Sequence, residues 1–177
     1  MPNIHNDKIL ILDFGSQYSQ LIARRIREIG VYCELLPYDV SLHFIEKFKP
    51  NGIILSGGPD IVNHTGSARA PDIVFGLGVP ILGICYGMQT MAVQLGGDAN
   101  SAEKAEYGFA QVRARNHSEL LRNISDEINS VGHGLLDVWM SHGIEVTKLP
   151  KDFNLIASTD NCPICLLYTS PSPRDRG

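Results

Sequence analysis

Short apolar runs alternate with helical stripes through the first half of this chain. Ile9-Leu10-Ile11-Leu12 is an unbroken branched run closing at Asp13-Phe14-Gly15, which predicts a buried strand. Tyr18, Leu21, Ile22, Ile26 and Ile29 then recur at helical spacing, with Ser16 as the expected N-cap and Gly30 as the stop. Val31 to Leu36 predicts a second strand closed by Pro37. Ser41 to Phe48 predicts a short helix ended before Pro50. Ile53-Ile54-Leu55 is a third strand candidate running into Ser56-Gly57-Gly58-Pro59. The polar stretch from Asp60 to Ala70 reads as a loop, and Ala70 to Leu77 as a helix with Pro71 near its start. Val79 to Ile84 predicts a fourth strand. Met88, Met91, Ala92 and Leu95 form a stripe ended by Gly96-Gly97. Strands alternating with helices predict an α/β fold: an open, mostly parallel twisted sheet covered on both faces. Later segments read as shorter strands at Gly108 to Arg115, Leu135 to Met140 and Phe153 to Ser158.

Composition narrows the classes without selecting one. With 177 residues, 44% hydrophobic and 19% charged, the chain can build one domain with a sizeable core. A net charge of −4 argues against a nucleic-acid surface, which calls for a basic patch. The absence of a membrane-length apolar run or a signal core predicts a cytoplasmic protein with no membrane partner. Of the four cysteines, only Cys162 and Cys165 form a C-x-x-C pair. Two further ligands at matching spacing are lacking, so no metal is expected, and no strand–turn–helix context marks a redox pair.

Chemistry concentrates in Gly83-Ile84-Cys85-Tyr86-Gly87, a G-x-C-x-G sequence between an apolar strand and an apolar-striped helix. A sharp strand-to-helix turn strains the backbone and leaves no room for flanking side chains, hence the glycines. Such a turn lifts the sulfur to the strand ends, where open α/β sheets bind ligands. It also sets the sulfur at a helix N-terminus, whose partial positive charge favours thiolate. Without the glycines, an inert buried thiol would be the better reading of Cys85; with them, Cys85 reads as a nucleophile. Acyl transfer also needs oxyanion donors. Gly57 and Gly58 end a neighbouring strand and can bring bare N–H groups to a carbonyl, and the amide of Tyr86 follows the nucleophile.

Taken together these motifs resemble the class I (triad) glutamine amidotransferases. Ile9 to Tyr18 with Gln20 to Arg25, Leu55 to Pro59, Val79 to Gln89, and Asp137-Val138-Trp139-Met140-Ser141-His142-Gly143 are similar to segments of the GMP synthetase type in that family. The resemblance runs from Lys8 to Cys162. It implies a flavodoxin-like fold and glutamine hydrolysis through a Cys85 thioester. It further implies delivery of ammonia to an ATP pyrophosphatase domain, fused or separate, that aminates XMP to GMP. It makes Gly57, Gly58 and Tyr86 the oxyanion site, and has Gln89, Ser141, His142 and Gly143 hold the glutamine. Tyr107-Gly108-Phe109 would border the same pocket. It implies no cofactor in this domain, ATP and Mg in the synthetase domain, and a homodimeric full-length protein. Alternatives are an amidotransferase of the same class serving another synthetase, a noncatalytic glutamine-binding module, and a cysteine hydrolase of the same fold.

One departure stands out. The family's general base and orienting carboxylate lie in an F-H-P-E-type motif, and none of the six histidines here precedes a proline. His142, in an expected Ser-His-Gly turn, reads as a substrate contact rather than a substitute base. The expected organisation is a disordered residue range 1–7, an amidotransferase domain over 8–164 lacking its C-terminal part, and a tail over 165–177. That tail, from Cys165 to Asp175, resembles a translated sequencing adapter. A fragment so organised is expected to be inactive alone.

Overall fold

The computed structural model describes residues 7–114, 119–121 and 123–169. The expected disordered N-terminus, but for residue 7, and all of the tail beyond Thr169 lie outside that range. The described residues fall into two compact units, 7–94 and 95–169.

In the first unit β1 (Lys8–Asp13), α1 (Ser19–Glu28), β2 (Tyr32–Pro37), α2 (Leu42–Phe48), β3 (Gly52–Leu55), α3 (Ile73–Gly76), β4 (Ile81–Gly83) and α4 (Tyr86–Gln94) follow one another. The four strands make a parallel sheet in the order β2-β1-β3-β4. The path first steps from β1 to β2, then reverses across β1 to β3. Right-handed crossovers in opposite directions put α1 and α2 on opposite faces, and the reversal makes a switch point between β1 and β3.

Alternation along the strands explains the core. Ile9 and Ile11 of β1, with Leu35 and Ile54 beside them, pack against Ala23, Ile22 and Ile26 of α1. Their neighbours Leu10, Leu12, Ile53 and Leu55 point to the other face and are fully buried, whereas Ile9, Leu35 and Ile54 are only partly so. This corrects the sequence stripe of α1. Tyr18, Leu21 and Ile29 are exposed, Ile29 at 77%, while Ala23 is fully buried. The small side chain lets the helix sit close to the sheet and rotates the packed face away from those larger residues.

Helix α1 starts at Ser19, with Tyr18 as N-cap and no side-chain cap bond. Ser16, the expected cap, instead accepts from the Tyr18 amide at 3.1 Å. The stop is as expected: Gly30 takes φ +79°, its amide donates to Arg27 O, and the Val31 amide donates to Ile26 O. Ser41 caps α2 through the Phe44 amide. The helix expected over 70–77 shrinks to the four residues of α3.

The second unit is an antiparallel sheet, β6-β7-β5-β8-β9, built on two long strands, β5 (Asp98–Ala114) and β7 (Gly134–Lys148). β6 (Glu127–Ile128) pairs with β7, and β8 (Phe153–Ser158) pairs with β5 and with β9 (Leu166–Thr169). The long strands exceed their expected lengths. Residues 141–143, expected as a turn, continue β7, and the ladder absorbs the mismatch as an irregularity between Ser101 and Glu106 of β5. Among the described residues no helix is long and apolar enough to cross a membrane.

Two substitutions separate the packed face of α1 from the stripe. Ile11→Ala should cost about 2–5 kcal/mol, and Ile29→Ala no more than about 0.5 kcal/mol, by urea unfolding. Equal costs would contradict the packing described.

Candidate active site

Three strand ends carry the site. β4 runs into Ile84-Cys85, β3 into Ser56-Gly57-Gly58, and β1 into Phe14-Gly15-Ser16. The Ile84 amide donates to Leu55 O at 2.9 Å, extending the β3–β4 ladder one step. Cys85 then turns the chain with φ +50°, a left-handed conformation that side chains rarely adopt. α4 begins at the next residue.

The flanking glycines are steric necessities. A Cβ on Gly87 would lie 2.2 Å from Leu55 O, and one on Gly83 would lie 2.6 Å from Met88 Cα. Both obstacles are backbone, so neither can move aside. A Cβ on Gly58 would lie 2.4 Å from Phe14 O. Gly57 is different: its Cβ would meet Cys85 Cβ at 3.5 Å, ordinary contact. Gly57 therefore stands beside the nucleophile candidate, and Gly58 has its back to β1.

Most backbone donors of the turn are engaged within it. In the turn, the Gly87 amide donates to Ile84 O, and the Met88 and Gln89 amides donate to Cys85 O. Tyr86 is the first residue of α4, so its amide has no acceptor within the helix. The Tyr86 side chain does other work. It is 2% exposed, donates to Ala68 O at 2.7 Å, and its ring lies 5.5 Å from that of Phe14, which stacks on Tyr38. Gln89 is buried one turn into α4.

Cys85 is exposed, so reagents can reach it. Burial around its sulfur nonetheless pushes the thiol up from its ordinary pKa. This runs against the thiolate expected from the helix N-terminus: desolvation disfavours the charged form. Cys33 and Cys162 are buried, and Cys162 and Cys165 form no disulfide. Among the described residues no cluster of His, Cys, Asp or Glu could hold a metal.

Sequence reading missed Asp13 and Ser56. Asp13 Oδ1 accepts from the Gly15 and Ser16 amides at 2.9 and 3.2 Å and from Ser19 Oγ at 2.7 Å. Ser56 is fully buried and its Oγ accepts from the Phe14 amide at 3.0 Å. The polar loop 60–70 also proved tied down. Arg69 donates to Thr90 Oγ1 and Val62 O, while Gln94 pairs with the backbone of Ala70. Alternating polarity gave no signal for any of these. A hollow of about 400 Å³ lies at the ends of β1 and β2, lined by Asp13, Phe14, Gln20, Leu36 and Tyr38; Cys85 does not line it. Ser141, His142 and Gly143 lie on β7 of the second unit, and the Tyr107 hydroxyl lies 3.4 Å from where a Gly143 Cβ would be.

Two consequences are testable. Gly87→Ala should cost about 3 kcal/mol or more or prevent folding, because its obstacle is rigid backbone; an unchanged urea midpoint would contradict the elbow. With the thiolate appearing only at high pH, the rate of Cys85 alkylation by iodoacetamide should still be climbing at about pH 9. A plateau near about pH 7 would show a depressed pKa instead.

Comparison with known proteins agrees with this geometry. The family model for glutamine amidotransferase class-I matches residues 10–173. The chain is 73% identical over 164 residues to the GMP synthase [glutamine-hydrolyzing] of Ruthia magnifica, covering 93% of this chain and 31% of that protein. It is 64% identical to the GMP synthase [glutamine-hydrolyzing] of Methylococcus capsulatus, with the same coverage. The chain thus spans about a third of the length of these relatives. Among solved structures, a putative GMP synthase subunit from Thermoplasma acidophilum superposes with TM-score 0.75 at 26% identity, covering 94% of this chain and 80% of that one. A Thermotoga maritima glutamine amidotransferase at TM-score 0.70 and 16% identity supports the fold alone. On the family match and on the elbow built around Cys85, the chain belongs to the class I glutamine amidotransferases.

Proposed function

We propose that this chain is the glutamine-hydrolysing part of a GMP synthase. The observation that carries the reading is the left-handed Cys85 beside Gly57; the names of the relatives then select the synthase. The Cys85 thiolate attacks the side-chain carbonyl of glutamine. The oxyanion of the tetrahedral intermediate takes hydrogen bonds from backbone amides of the Gly57-Gly58 segment and from Tyr86. Ammonia leaves, and water releases glutamate from the thioester. Gln89, Ser141, His142 and Gly143 hold the glutamine; motif position rather than distance supports that assignment. Because burial raises the thiol pKa, Cys85 needs a base to reach its reactive form. The resemblance puts that base in a histidine–carboxylate motif not found in this sequence, so the isolated chain should be a poor catalyst.

Ammonia passes to an ATP pyrophosphatase domain, where ATP and Mg activate XMP for amination to GMP. The assembly acts in the cytoplasm as a homodimer. A graft tests this. Residues 8–164 would replace the corresponding segment of the Ruthia magnifica relative, 73% identical. The graft should make GMP from XMP, ATP and glutamine. Cys85→Ala should lower the glutamine-dependent rate by about 10³-fold or more while leaving the ammonia-dependent rate intact. Loss of both rates, or of neither, would overturn the assignment.

A further inference from the structure

The peptide between Gly57 and Gly58 lies in close quarters and is held by one side-chain hydrogen bond. Gly57 faces Cys85, Gly58 has its back against Phe14 O, and the Ser56 hydroxyl donates to Gly57 O at 2.8 Å. That hydroxyl has a second acceptor near, Asp13 Oδ1 at 3.4 Å, but a single proton favours the shorter bond. One of its lone pairs is engaged too, by the Phe14 amide. In a trans peptide the carbonyl of one residue and the N–H of the next point in opposite directions. A bond that fixes the Gly57 carbonyl toward Ser56 therefore fixes the Gly58 N–H away from it. Glycine on both sides leaves this plane otherwise free to rotate.

We propose that Ser56 is a positioning residue: its hydroxyl sets the Gly57-Gly58 peptide plane, so that the Gly58 amide is held ready for the oxyanion. Asp13 supports it from β1. Its carboxylate fixes the Gly15-Ser16 turn, and Ser16 Oγ lies 3.5 Å from where a Gly57 Cβ would be. Preorganised donors matter because they cost no reorganisation when charge develops. The inference rests on reading Cys85 as the glutamine nucleophile.

The γ-aldehyde analogue of glutamine separates the two ideas. The Cys85 thiol adds across its carbonyl: an S–C bond forms, the C=O π bond opens, and the thiol proton passes to the oxygen. The hemithioacetal oxygen then occupies the oxyanion position. Iodoacetamide alkylates the same sulfur without forming any oxyanion. Ser56→Ala should weaken the aldehyde adduct at least about tenfold and leave the alkylation rate unchanged. An adduct as tight as in the wild type, or an equal fall in both readings, would overturn the inference. A wild-type chain that forms no adduct would overturn the glutamine reading itself, and this inference with it. Should Ser56→Ala not fold, the ¹⁵N-labelled wild-type chain still decides. The Gly58 amide proton should move downfield when the adduct forms, and a resonance that stays in place would contradict the proposal.

Discussion

The contact on which the site depends is backbone against backbone, where the start of α4 presses onto the end of β3. Gly87 has no room for a side chain because Leu55 O occupies the space, and the Ile84 amide donates to that same residue's carbonyl. Between these two anchors only Cys85 and Tyr86 are left to turn the strand into the helix. Cys85 takes the left-handed conformation as a result. The exposure of Cys85 and the proximity of Gly57 both follow from this approach. The strain is of the order of a few kcal/mol, and the buried strand faces on either side of β1 and β3 hold it in place.

The parallel unit and its elbow were legible because their signals are local. Branched apolar runs specify buried strands whatever lies beside them, and glycines at fixed offsets from a cysteine record a steric demand within a single turn. Asp13 and Ser56 were not legible as a pair, since forty-three positions separate them in sequence. Only the parallel pairing of β1 with β3 brings them together. The stripe of α1 misled for a similar reason. Periodicity gives the width of an apolar face, whereas Ala23 against Ile11 decides which part of it packs. In the second unit β7 runs on through Ser141, His142 and Gly143 because a partner strand accepts an irregular register there, a property of the pairing rather than of the residues.

The environment of Cys85 joins structure to chemistry. Accessibility and partial desolvation coexist at this sulfur, and desolvation holds the proton on it. A neutral thiol attacks poorly. On the proposed reading, the elbow would position Cys85 as the nucleophile and offer donors to the oxyanion, and would leave activation to another group. That division matches the triad logic of the family, in which position, base and oxyanion site are separable contributions.

The most direct measurement is labelling of the chain by a chloroketone analogue of glutamine, mapped by mass spectrometry with and without excess glutamine. If Cys85 is the glutamine nucleophile, the label falls on the peptide carrying Cys85, glutamine slows it, and asparagine does not. Label spread over Cys33, Cys162 and Cys165 as readily, or reaction at Cys85 that glutamine leaves untouched, would contradict the account.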